Sequence, residues 1–430
     1  MPSSKRSYLD PIHQDIILDR AVPEQALIID LIDTPEFQRL RRIHQLGVSY
    51  FTFQGAEGSR FTHSVGVMHV ASRMMSILGE KCQTVERLKP LILASALLHD
   101  VGHGPYSHVT ENILGYDHED WSCKIISGKT ELNHVLNSYP DYDGSLAQDI
   151  ERLLKKTYPA HWISHIVSSQ LDCDRFDYLL RDSYMTGTTY GSLALQRILT
   201  SLEVDEKNDR IVVSGDKGQT AVEDYLFARY SMYAQVYYHK KNLAARALLA
   251  KLMKRARHRG DSICFMDEPT RKWLMGEELT VEEYLELDDV QMTYHIKRWV
   301  SDPDSILSEL ASRFINRRLF NAVRLPTRSA DAIADLERKA GQIVADMGLD
   351  PDYYVSIEST GLRPYDYYRP DTSNPQTNIM VRTERGEIRE LSTISGTVEA
   401  LVKGNFETRW LIFPAEAREE IARLVDLAPV

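Results

Sequence analysis

The stretch LLHDVGHGPYSH, residues 97–108, gathers His99, Asp100, His103 and His108 around Gly102, Gly104 and Pro105. Imidazole and carboxylate groups bind divalent ions and move protons near neutral pH. Neighbouring side chains on a helix point about 100° apart, so His99 and Asp100 reach one ion only where a helix ends or turns. The glycines and the proline supply that turn. Two more candidates stand at the starts of expected helices: His63 in SRFTHSVGVMHV and Asp174 in LDCDRFDYLLRD. Two imidazoles and two carboxylates from three segments form a mixed nitrogen–oxygen set suited to Mn, Fe, Mg or Zn. Taken alone, the His99–Asp100 pair fits a capping aspartate beside a surface histidine better than a metal site.

These residues need helices to position them. LKPLILASALLHD is apolar nearly all round and suits a helix buried in a large bundle. SVGVMHVASRMMSILGEK and FARYSMYAQVYYHKKNLAARALLAKLMKRARHR read as long continuous helices. Asp174, Tyr178 and Asp182 recur every four residues, as do Arg229, Tyr233 and Tyr237, so each trio shares a helix face. RIVVSG is a short extended interruption. Near residue 325 the texture changes. RSADAIADLERKAGQIVADMGL reads as a helix, then YYVSIES, NIMVRTERGEIREL and RWLIFP as strands, the middle one a hairpin turning at Arg385–Gly386. AEAREEIARLVDL closes the chain as a helix. The expected fold is mainly α: a helical catalytic core over residues 1–325, then a small α+β region, 326–430, for interaction or oligomerisation.

Bulk properties narrow the classes. The 430 residues are 43% hydrophobic and 26% charged, the balance of a globular protein. No run approaches the ~18 apolar residues of a membrane span. The net charge of −11 disfavours nucleic acid as a general partner, while leaving room for a small polyanion in a locally positive pocket. Cys82, Cys123, Cys173 and Cys264 form no CxxC pair, and MPSSKRSYLDPIH has no apolar signal stretch. A cytoplasmic, reducing location is therefore expected.

The blocks DPIH, LIDTPEFQRLRRIHQLG, SRFTHSVGV, LLHDVGHGPYSH, DHED and DCDRFDYLLRD, spread over residues 10–182, resemble the HD-domain phosphohydrolases. The similarity is greatest to the deoxynucleoside triphosphate triphosphohydrolases of bacteria and vertebrates, and continues more weakly through FARYSMYAQVYYHKK. The resemblance implies that His63, His99, Asp100 and Asp174 hold a divalent metal. It implies that His103, His108 and His118 face the substrate phosphates. His108 would protonate the departing 5′ oxygen, oriented by Glu111 where the family more often has Asp. Arg60, Arg175 (Lys in most of the family), Arg229 and Lys240 would meet the triphosphate. Gln45, Tyr178 and Asp182 would recognise the sugar, and Tyr237 would stack under it and exclude a 2′ hydroxyl. Tyr233 replaces a histidine of the vertebrate members.

By the same resemblance, Asp33, Gln38 and Arg41 would read the guanine of GTP or dGTP at an allosteric site between subunits, in a dimeric or tetrameric homo-oligomer. Gln14 replaces the glycine of the family's DPIHG, which argues against close nucleotide approach at that loop. The expected activity is metal-dependent cleavage of deoxynucleoside triphosphates to deoxynucleoside and triphosphate. The alternatives are a nuclease, nucleotide phosphatase or phosphodiesterase on the same metal site, or a nucleotide sensor without turnover. For a nuclease the one candidate basic track is KLMKRARHR, Lys251 to Arg259.

Overall fold

The computed structural model describes residues 4–427 apart from 81, 83, 327–328, 362–364, 366–377 and 405–406. The chain opens with an antiparallel hairpin, β1 (Lys5–Asp10) and β2 (Gln14–Asp19), followed by helix α1 (Pro23–Asp33). The helical core then forms around α2 (Arg60–Gly79) and α3 (Lys89–Leu98), which pack on each other. Every residue of α3 from Leu91 to Leu98 is buried, as its all-round apolar sequence demands. Immediately after it, the glycines and proline of VGHGP turn the chain, and helix resumes as α4 (His108–Leu114) and α5 (His118–Ser127). Helix α6 (Cys173–Met185) packs against α2 from the other side, capped by the Asp172 side chain, which accepts from Arg175 N.

The long helix expected from FARYSMYAQ onward is not continuous. Helix α7 (Asp216–Met232) passes into a π-turn at Tyr233–Tyr237 and breaks before α8 (Lys240–Arg259). Tyr238 N donates to Tyr233 O at 3.0 Å, a five-residue step. The Val236 carbonyl left by the break accepts from Asn242 Nδ2 at 2.7 Å and from His239 N at 3.2 Å. Such π-turns gather at functional sites because they re-aim side chains that an α-helix would fix.

Strands are more widely spread than the composition suggested. The hairpin β3 (Leu202–Asp205) and β4 (Arg210–Ser214) joins a second hairpin, β7 (Met380–Arg382) and β8 (Ile388–Glu390), through parallel β4–β7 pairing. A second sheet has the order β5 (Asn321–Leu325), β9 (Thr408–Phe413), β6 (Ser356–Thr360). Both sheets therefore draw strands from either side of residue 325. Between them in sequence lie α9 (Val281–Leu285), α10 (Asp289–Trp299), α11 (Ser305–Ile315) and α12 (Ala330–Asp346); α13 (Arg418–Leu427) comes last. Tyr353 and Tyr354, expected in a strand, instead end a helical turn at Pro351–Tyr354. No helix among the described residues is long and apolar enough to cross a membrane.

The β1–β2 turn has three residues and places Gln14 at φ +60°, the left-handed conformation that glycine occupies without cost. Gln14→Gly is expected to raise stability by about 1 kcal/mol. Denaturant midpoints measured at unchanged m-value check this; a midpoint that stays put or falls contradicts it.

Candidate metal centre and active site

The turn after α3 and the starts of α2 and α6 converge on one point. His63 Nε2 lies 3.1 Å from Asp174 Oδ1 and 3.6 Å from Asp100 Oδ2. His99 Nε2 lies 3.4 Å from Asp100 Oδ1 and 3.6 Å from Asp174 Oδ1. Donors each about 2.0–2.2 Å from one ion sit roughly 2.8–3.6 Å apart in octahedral or tetrahedral geometry, so these separations fit a shared cation. His99 Nε2 is buried and makes no hydrogen bond, while its Nδ1 is fixed by the Ala96 carbonyl at 2.9 Å. That leaves Nε2 as a lone-pair donor aimed into the cluster. The residues present fit a divalent ion.

Electrostatics agree. Burial alone would lower the His63 imidazole, but hydrogen bonds to Asp174 and Asp177 outweigh it and raise the group to about 10. Burial would raise the Asp100 carboxyl, yet Arg60, His99 and His103 hold it well below the usual carboxylate range. Asp174 is kept low in the same way by His63 and His99. The two carboxylates thus favour the ionised form that a cation requires.

Sequence reasoning missed the layer behind the donors. Asp177 is fully buried and accepts from His63 Nδ1 at 2.8 Å, leaving His63 Nε2 facing the cluster. It also meets His13 Nε2 at 2.7 Å and accepts from Arg181 Nε and Nη2 at 2.8 and 2.9 Å. The β1–β2 turn delivers His13, with Asp10 Oδ1 accepting from Ile12 N and His13 N and Asp10 Oδ2 from Arg181 Nη1. The available signal was spacing: Asp174, Asp177 and Arg181 fall at i, i+3 and i+7 of one helix. Space for this layer exists because residue 66 is glycine. A Cβ there would stand 2.1 Å from Asp177 Oδ1 and 2.4 Å from Arg181 Nη2. Gly66→Ala is expected to displace Asp177 and weaken metal affinity by about 10–100-fold. Metal titration of the folded variant checks it, and wild-type affinity would count against the assignment.

Beside the cluster, Glu111 accepts from His108 Nδ1 and His118 Nδ1, each at 2.7 Å. These hydrogen bonds outweigh burial and hold Glu111 well below its ordinary range. Burial presses His118 down, but Glu111 reverses this and raises it. His103 stacks on His118 with centroids 3.9 Å apart, is wholly buried, and is held well below its usual value by burial, Arg60 and His118. The donor atoms of His103, His108, Glu111 and His118 lie within 4.8 Å of one another. Because Glu111 already takes a hydrogen bond from each of two imidazoles, the set suits proton handling. His108, at the start of α4, is 61% exposed on its side chain, available to a ligand.

A cavity of about 650 Å³ opens over both groups. His63, His99, Asp100, Asp174, His108 and His118 line it, with Gln45, Arg60, Arg175, Tyr178, Asp182, Arg229, Tyr233 and Tyr237 on its other walls. His103 and Glu111 stand behind this surface. Tyr237 Oη donates to Asp182 Oδ2 at 2.7 Å, and burial raises the Asp182 carboxyl to about 7 against that hydrogen bond. Arg229 Nη1 donates to Gln170 Oε1 at 2.7 Å, and Arg175 is held by Asp172 and the Ser169 carbonyl. Lys240 corrects the sequence expectation: it is exposed, outside this cavity, because the break after Tyr237 turns the first residue of α8 to solvent. Lys156 and Arg246, not singled out from the sequence, line the cavity instead.

Asp33, Gln38 and Arg41 lie away from this cavity. Arg6 Nη1 donates to Asp33 at 2.6 and 2.7 Å, and Arg41 Nε donates to Gln38 Oε1 at 2.8 Å while its guanidinium sits 3.5 Å over the Phe61 ring.

A helical core that brings His, His-Asp and Asp donors to one centre defines an HD-type phosphohydrolase fold. Residues 60–178 match the HD domain and residues 194–426 match the HD associated region, and the chain belongs to the HD-domain family, whose fold binds a divalent metal. It is 40% identical over 403 residues to the uncharacterized protein YwfO of Bacillus subtilis (strain 168), covering 93% of this chain and 90% of that protein. Over 265 residues it is 31% identical to the human deoxynucleoside triphosphate triphosphohydrolase SAMHD1, covering 54% of this chain and 41% of SAMHD1. The chain thus spans less than half the length of that relative. A phosphohydrolase crystal structure from Bacteroides thetaiotaomicron VPI-5482 matches with a TM-score of 0.80 at 29% identity, covering 95% of this chain and 99% of that one.

Proposed function

We propose that this metal-dependent phosphohydrolase cleaves deoxynucleoside triphosphates to deoxynucleoside and triphosphate. The observation that carries the reading is the Tyr237–Asp182 hydrogen bond of 2.7 Å on a wall of the cavity that also holds His63, His99, Asp100 and Asp174. A phosphatase indifferent to the rest of its substrate needs no such polar wall in the cavity that holds these four residues. A divalent ion held by His63, His99, Asp100 and Asp174 supplies Lewis-acid polarisation of a phosphoryl oxygen and acidifies water.

The chain's own groups do the rest. Arg60, Arg175 and Arg229 neutralise the triphosphate, with His118 beside them. Water adds to the α-phosphorus, releasing a proton to solvent, as the P–O5′ bond breaks, and His108 gives its proton to the leaving 5′ oxygen and regains one from solvent. Glu111 holds the His108 ring in the donating orientation. Asp182 accepts from the 3′ hydroxyl, with Gln45 and Tyr178 beside it. Tyr237 closes the space a 2′ hydroxyl would need, and Tyr233 packs against Tyr237 with ring centroids 4.9 Å apart. Asp33, Gln38 and Arg41 are proposed to take a guanine nucleotide that activates a homo-oligomer, with residues 326–430 as an assembly element.

A nuclease is disfavoured by the fate of its one basic run. Arg255 pairs with Asp304, Lys251 Nζ donates to the Asp352 and Val355 carbonyls, and His258 Nδ1 meets Tyr353 Oη. These side chains bind the fold together. A sensor without turnover is disfavoured by the intact donors and by the His108–Glu111 pair.

Chromatography of products tests the proposal. Each deoxynucleoside triphosphate is supplied alone and in mixture with Mn, Mg or Fe, with ribonucleotides alongside. Deoxynucleoside and triphosphate in equal amounts are expected, with activity only in mixtures marking guanine activation. Mono- or diphosphate products, or none from metal-loaded protein, would overturn it.

A further inference from the structure

The turn that carries His103 and His108 is gripped by residues from outside the matched HD segment. Tyr284 Oη donates to the Gly102 carbonyl at 2.6 Å. Arg39, almost wholly buried, donates through Nη1 to the His103 carbonyl at 2.8 Å and through Nε to the Leu287 carbonyl at 3.0 Å. Asp289, the buried first residue of α10, accepts from Tyr106 N at 2.6 Å through Oδ1. Its Oδ2 accepts from His44 N at 2.9 Å and from His44 Nδ1 at 2.5 Å. One helical turn on, Thr293 Oγ1 meets Tyr106 Oη at 2.8 Å.

What Asp289 holds is strained. Tyr106 and Ser107 have φ of +56° and +55°, two successive non-glycine residues in the left-handed region, immediately before His108. Such conformations are disfavoured for residues with a side chain and persist only where surrounding contacts impose them. Ser107 Oγ donates to the His44 carbonyl at 2.9 Å and accepts from Arg60 Nε at 2.8 Å. One carboxylate therefore joins the turn that aims His108 to the stretch of chain leading into Gln45.

We infer that Asp289 is a positioning residue for the reaction, holding the Tyr106–Ser107 turn so that His108 reaches the leaving oxygen. The inference rests on the reading of His108 as proton donor. Asp289 touches neither substrate nor metal donors; it acts through the Tyr106 amide and His44.

The test is a double-mutant cycle on holoenzyme with Asp289→Ala, His108→Ala and the pair. Displacing a catalytic group by about 1 Å costs roughly 100-fold, so Asp289→Ala is expected to lower kcat about that much, with KM and metal content little changed. Because Asp289 acts through His108, adding it to His108→Ala is expected to cost nothing further. Amide exchange is expected to rise over residues 102–110 and 43–46 and stay constant elsewhere. If the alanine variant does not fold, Asp289→Asn, which keeps one acceptor, enters the cycle with an expected loss of about 10-fold. Multiplicative losses in the pair, or unchanged exchange over residues 102–110, would overturn the inference. Failure of the wild type to release nucleoside and triphosphate would instead overturn the functional reading, since the exchange measurement needs no substrate.

Discussion

His108→Gln is expected to lower deoxynucleoside triphosphate turnover by about 1,000-fold while metal content and melting temperature stay at wild-type values. The ring lies outside the metal donor set, hydrogen-bonded to Glu111 at 2.7 Å, so its loss removes a proton donor and leaves the ion's site intact. The defect should depend on the leaving group. A p-nitrophenyl triphosphate, whose phenolate departs without a proton, is expected to be cleaved by variant and wild type at similar rates. A defect of equal size on both substrates would show that His108 binds phosphate and does not protonate the leaving oxygen. Glu111→Gln should follow the same pattern with a smaller loss, because it orients the ring without supplying the proton.

Asp182→Asn is expected to stabilise the protein at pH 8 while weakening substrate binding. Burial raises the Asp182 carboxyl to about 7, against an ordinary value of 3.8. Between those values the folded chain holds a proton that the unfolded chain has released. Stability contributed by this group is therefore full below about pH 4, falls as pH rises to about 7, and stays lost above. The penalty at pH 8 is on the order of 2–4 kcal/mol, which the amide removes because it never ionises. Thermal melts should show a gain of roughly 2–4 °C for the variant at pH 8, shrinking to nothing near pH 4. KM should rise about 10–100-fold, since the single amide carbonyl of the variant cannot serve both Tyr237 and a 3′ hydroxyl as two carboxylate oxygens do. A melting difference that ignores pH would mean that Asp182 is solvated in solution.

The set His63, His99, Asp100 and Asp174 was legible through the family resemblance, since residue types and spacing alone left a capping aspartate beside a surface histidine open; the Asp172 cap that starts α6 appears only in the structure. The trio Asp174, Tyr178 and Asp182 was legible from helical periodicity. Arg229, Tyr233 and Tyr237 have the same spacing and do line the cavity, yet a π-turn places the two tyrosines, and spacing by four does not distinguish the two geometries. Lys240 fell outside the cavity for that reason. Asp289 and Arg39 left no trace in the pattern, since their partners lie up to 248 positions away and long-range hydrogen bonds impose no period on a sequence. The β4–β7 pairing was hidden likewise: RIVVSG and NIMVR each read as strands, but nothing local in either encodes a parallel partner.

The reach of the Asp289 contacts has a consequence during synthesis. His63, His99, Asp100 and Asp174 have all been translated once residue 174 is made, but the Gly102 carbonyl and the Tyr106 amide of the histidine turn wait for Tyr284 and Asp289. At about 5–20 residues per second, that interval lasts on the order of 10 s. A nascent chain would therefore hold the clustered histidine and aspartate residues before the turn bearing His108 is fixed, and that turn would set only when the later helices have docked.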